Sequence, residues 1–198
     1  SIRRFPCMSC GTFWHSCRRA RATVSDQSTI CHEQESSPWT DHFIDFHVNN
    51  FNGGTMSGNV STANNDGFEV DEFLSGTMRG NTATRNGDEG FFVDDFLGGL
   101  ISGNMAILND DDGDFGFFVN NFDGGTMSGN TATGSGDDGF RVDDFDSGMM
   151  IGNTATGNGD DGFDIEFDGG NTASFGSNVS TNNSDSGFNI DGTPNTGS

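Results

Sequence analysis

A chain of 198 residues with 30 acidic side chains, eight arginines and no lysine carries a formal charge of −22, which argues against a phosphate-binding surface and so against a nucleic-acid partner. The length suits one domain, and no apolar run is long enough to insert in a membrane. Low hydrophobicity at high net charge is ordinarily the mark of disorder, yet the 20 phenylalanines and 31 glycines recur with a period, and a repeat array needs only a narrow apolar column per face.

Residues 1–42 read as an irregular segment and a candidate cap for one end of the array, since an uncovered end exposes strand edges. They hold five of the eight arginines and all four cysteines. Cys7-x2-Cys10 with Cys17, Cys31 and His32 invites a zinc site, but a second Cys-x2-Cys is missing. One or two disulfides in a secreted chain, or a loosely ordered or non-native leader, are the alternatives.

From Phe46 onward one sentence is written repeatedly. Its first phenylalanine falls at 46, 68, 91, 117, 140, 163 and 188, with spacings of 22, 23, 26, 23, 23 and 25 residues. A unit of that size cannot bury its own apolar face, so the units stack. Phe-x-Val at 68 and 70, 91 and 93, 117 and 119, and 140 and 142 puts both side chains on one side of a short strand, because strand side chains alternate. A second aromatic follows at Phe51, Phe73, Phe96, Phe122, Phe145 and Phe167, then an apolar residue at Met56, Met78, Ile101, Met127 and Met150. Two polar columns complete the unit, Asn59, Asn81, Asn104, Asn130, Asn153 and Asn178, and then Asn64, Asn86, Asn109, Ser135, Asn158 and Asn183. Three short strands joined by Gly and Asn corners account for such a unit.

The text Gly-Asn-Thr-Ala-Thr-x-Asn-Gly-Asp-Asp-Gly-Phe at 152–163 and its copies resembles the right-handed parallel β-helix of the pectate-lyase-like superfamily. The resemblance covers residues 43–191 and leaves 192–198 as a tail. It implies an all-β, single-stranded right-handed solenoid of six to seven coils, 22 to 26 residues each, with stacked aromatics inside and corner asparagines bonded from coil to coil. Parallel strands about 4.8 Å apart make every column a ladder, and corner amides satisfy backbone groups that turns leave unpaired.

Outward positions carry the candidate chemistry. His47, between Phe46 and Val48, reads as a solvated side chain. Stacking brings Phe92 beside Phe118, with Arg141 next along the row. Such a strip suits contact with a polysaccharide, while burial under the insertion at 109–115 or contact with another chain are the alternatives. Acids form two edges. One follows the Phe-x-Val strands at Asp71-Glu72, Asp94-Asp95 and Asp143-Asp144, interrupted by Asn49-Asn50 and Asn120-Asn121. The other precedes each Gly-Phe and is densest at Asp88, Asp110, Asp111, Asp112, Asp114, Asp137 and Asp138, where oxygen ligands suit Ca2+ and a solvated, salt-screened acidic face is the alternative.

The reading is therefore an extracellular or cell-surface structural or adhesive solenoid that binds divalent cations and glycans. A calcium-dependent polysaccharide lyase or hydrolase is one alternative, but paired carboxylates that recur in nearly every coil follow the repeat, whereas an active site should break it. An ice-binding β-helix is another, resting on the Thr-x-Thr rows at 82–84, 131–133 and 154–156. The repeat runs to Asp191 without an evident apolar cap, so self-association through the solenoid ends also belongs to the expectation.

Overall fold

The computed structural model describes residues 30–33, 44–109, 114–168 and 172–192. Three faces of parallel strands run round the coil. The first stacks Ile44–Ser57, Asp66–Arg79, Phe91–Phe96, Phe117–Phe122, Phe140–Phe145, Phe163–Glu166 and Phe188–Asp191. The second continues from the far ends of the two long strands into Leu100–Ser102, Thr126–Ser128, Gly148–Ile151 and Ala173–Gly176. The third is a separate sheet of Val60–Thr62, Thr82–Thr84, Met105–Ile107, Thr131–Thr133, Thr154–Thr156 and Val179–Thr181. This is the right-handed parallel β-helix that the repeat predicts. No helix among the described residues is long and apolar enough to cross a membrane.

Register makes the interior. Phe46, Phe68, Phe91, Phe117, Phe140, Phe163 and Phe188 pair in sequence along the first face. Their rings stack with centroids 4.6–5.1 Å apart and planes within 12°, as in-register parallel strands dictate. The second aromatic column, from Phe51 to Phe167, tilts more freely, reaching 85° between Phe73 and Phe96. The third face turns only small residues inward, Ser61, Ala83, Ala106, Ala132 and Ala155, all fully buried. Opposite them stand the glycines before each Phe. A Cβ on Gly139 would lie 2.9 Å from Ala155 Cβ and 2.8 Å from Gly162 O, so the coil closes here only without a side chain.

The first asparagine column is a continuous ladder. The backbone N–H and side-chain amide of each Asn donate to Oδ1 of its counterpart in the next coil at 2.9–3.1 Å. The same amide donates to a carbonyl of the preceding coil, from Met56 O through Met150 O. The second ladder is interrupted at Ser135, whose side chain is too short to reach on. Asn109 Nδ2 and Ser135 Oγ are buried there without hydrogen-bond partners, as is Asn86 Nδ2 one coil before Asn109.

At the leading edge Ile30–Glu33 pairs antiparallel with the strand that starts at Ile44. The zinc or disulfide expectation on Cys7, Cys10 and Cys17 lies outside the described residues, as do the side chains of Cys31 and His32. At the other edge Phe188 and Ile190 are 44% and 40% exposed.

Candidate metal and ligand surface

Outward side chains of the first face form one continuous row, His47, Glu69, Phe92, Phe118, Arg141, Asp164 and Asn189, each paired with the next. Phe92 and Phe118 meet at 5.3 Å between centroids with planes 40° apart. Phe115, the end of the insertion, turns back to lie 5.3 Å from Phe118. The periodic reading missed that third ring because Phe115 sits in a corner, where the column predicts an acid. Arg141 places its guanidinium 5.5 Å from the Phe115 centroid while donating to Asp143 at 2.7 Å and Asp164 at 3.1 Å. Burial works against its charge, but these carboxylates outweigh it and hold its pKa above the ordinary value.

At the head of the row the structure departs from expectation. His47 is half-buried and engaged, not solvated. Its Nε2 lies 3.2 Å from Asp71 Oδ1, and Asn49 donates to Asp71 Oδ2 at 3.0 Å. On the other side His47 Nδ1 is 4.0 Å from Glu69 Oε2, an oxygen that is buried and has no hydrogen-bond partner. Burial raises the Glu69 pKa, the nearby His47 opposes the rise, and the charges of Asp71, Glu89 and Asp94 add to it. One imidazole nitrogen and two carboxylate oxygens thus lie within 4.8 Å of one another. The signal in the sequence was a histidine one period before a glutamate in the same outward slot.

The acid edges resolve differently from a bank of equivalent charges. Asn50 donates to Glu72 at 2.6 Å, Asn120 to Asp94 and Asn121 to Asp95 at 2.8 Å, so the asparagine pairs that interrupt the column bond the carboxylates of the coil beside them. On the other edge alternate residues part company. Asp88, Asp114, Asp137, Asp160 and Asp185 each precede an aligned glycine by two. Asp138 and Asp161, one residue later, are buried. Asp138 accepts the Asp161 N–H at 2.9 Å and Asp161 accepts the Ser186 N–H at 2.6 Å, a carboxylate ladder that runs opposite to the asparagine one, each N–H donating to the preceding coil. Burial first, then the neighbouring Asp137, pushes Asp138 up to about 7. Asp66, at the start of the strand that carries Phe68, reaches about 7 from burial and from the charges of Asp88 and Glu89.

Of the expected metal ligands, Asp137 and Asp138 come within ligand distance of Asp160, and Asp160 and Asp161 do so with Asp185. Asp88 and Asp114 belong to neither group, and Asp110, Asp111 and Asp112 lie outside the described residues. Hard, oxygen-only groups of this kind suit calcium, whereas nitrogen with oxygen donors suits a divalent transition metal.

Residues 22–189 match a protein family described as "Periplasmic copper-binding protein (NosD)". No curated protein and no solved structure matches the chain significantly.

Proposed function

Because the chain belongs to the NosD family of periplasmic copper-binding proteins, we propose that it is a periplasmic or surface-exposed β-helix that binds a divalent transition-metal ion at His47, Glu69 and Asp71. The observation that carries this reading is the buried, unpartnered Glu69 Oε2 facing His47. A buried carboxylate oxygen without a donor is costly, and a cation would offset that cost. The donor set suits Cu(II), which takes nitrogen and oxygen ligands, better than Cu(I), which prefers thiolate or thioether sulfur. When bound, the ion would supply redox or Lewis-acid chemistry. The residues themselves position it: Asn49 and the adjacent strands orient Asp71, and the surrounding carboxylates attract cations to this side of the molecule.

Binding of Cu(II), followed by its visible absorption or electron paramagnetic resonance above physiological ionic strength, tests this. His47→Ala should weaken the tightest site by at least about tenfold. Asp137→Asn should leave it unchanged. Equal titration curves for wild type and His47→Ala would remove the proposal. Calcium at Asp137, Asp138 and Asp160 is the finer reading of the oxygen-only corner, tested by a chelator-dependent shift in melting temperature. A second reading, favoured by the Phe92–Phe118 pair, is that the first face contacts a polysaccharide.

A further inference from the structure

The aromatic strip sits in unusual company. Phe92, Phe118 and Phe115 form a contiguous half-buried surface, and the charged groups that border it on its own face are carboxylates apart from Arg141. That arginine shows what the strip accepts. Its guanidinium lies over Phe115 with Asp143, two residues along its own strand, and Asp164, its neighbour in the next coil, as counter-ions. Phe92 has carboxylates at comparable positions, with Asn120 rather than a cation donating to Asp94 and with His47 4.0 Å from Glu69 on its far side. Asp94 lies two residues along its strand, and Glu69 is its neighbour in the adjacent coil.

The geometry points to a protonated amino-sugar polymer as the ligand of this strip, with its pyranose rings on Phe92 and Phe118 and an ammonium group between Asp94 and Glu69. This rests on the polysaccharide reading and gives that ligand a charge. Pyranose C–H faces cover flat apolar rings, an ammonium is attracted to ring faces and to carboxylates together, and the row runs along the solenoid axis as a linear polymer would. A uronic-acid polymer is disfavoured. It would bring carboxylates against Glu69, Asp94 and Asp143, and the one cation on the row is already paired with two acids.

The full chain would be titrated calorimetrically with β-linked glucosamine oligomers, their fully N-acetylated counterparts, galacturonate oligomers and an oligolysine of matching charge. Phe92→Ser with Phe118→Ser and, separately, Asp94→Asn would be compared with wild type after circular dichroism confirms folding. Neither variant removes a proposed metal ligand, and because Glu69 is common to both sites the glycan titrations are run on metal-free protein in the presence of a chelator. The expectation is that glucosamine oligomers bind at least about tenfold more tightly than N-acetylated ones. The double variant should lose at least about tenfold despite its unchanged charge, and Asp94→Asn should lose several-fold. Equal binding of charged and acetylated oligomers would overturn the amino-sugar assignment while keeping the polysaccharide reading. Absence of any glycan binding would overturn both. Binding that survives in the double variant, or oligolysine binding with the same dependence on Phe92, would show attraction by net charge and overturn the site.

Discussion

Single side chains in this protein are held from two coils at once, so their removal is felt beyond their own contacts. Asn130 is fully buried. Its Oδ1 accepts the backbone and side-chain N–H groups of Asn104, and its amide donates to Ile101 O and Asn153 Oδ1, each at 3.0 Å. Alanine there strands at least one backbone donor and one backbone acceptor, each worth about 1–3 kcal/mol. Asn130→Ala is therefore expected to lower stability by at least about 2 kcal/mol, read from the urea midpoint. Glycines divide by the same logic. Gly139 has no room, with Asn158 Nδ2 at 2.5 Å from a Cβ built there. Gly152 has open space but φ +65°, so its alanine variant carries only the left-handed backbone penalty of about 1 kcal/mol. Gly139→Ala should be the more damaging of the two.

At the scale of the element, the burial of Asp138 in its corner gives the fold an acid-stabilised seam. Asp138 moves from an ordinary 3.8 to about 7 on folding, so between those values the folded state binds more protons than the unfolded one. Stability then falls as pH rises through this window. Asp66 acts in the same direction. Chemical denaturation at pH 5 and pH 8 should find the protein more stable at the lower value. Asp138→Asn, which keeps an oxygen for the Asp161 N–H, should stabilise the protein above pH 7 and flatten the profile.

Across the whole molecule the charge is segregated. No strand of the second or third face contains an acid between residues 55–57 and 179–181, so the described carboxylates lie on the first face and its two flanking corners. The third face instead presents Thr82, Thr84, Thr131, Thr133, Thr154 and Thr156. Like charges about 5 Å apart repel by about 1 kcal/mol even in water, and the coil repeat places acids at strand spacing. Raising ionic strength from about 0.01 to 0.15 M shortens the screening length from about 30 to about 8 Å. The melting temperature should rise by several degrees over that range, and a flat response would mean that repulsion between the stacked acids does not limit stability.

The fold was legible in the residues because a solenoid is nearly one-dimensional: position in the repeat decides both the face and the neighbour one coil away. Periodicity alone therefore determined the two phenylalanine columns, the asparagine ladders and the adjacency of Phe92, Phe118 and Arg141. Tertiary structure decided what happens at the corners and on the diagonals. Asp138 turns inward to the backbone, Phe115 folds onto Phe118, Asn120 and Asn121 bond the acids of the preceding coil, and His47 meets both Glu69 and Asp71. Those outcomes depend on backbone torsions in the turns and on side-chain rotamers, which differ between coils whose sequence columns look alike.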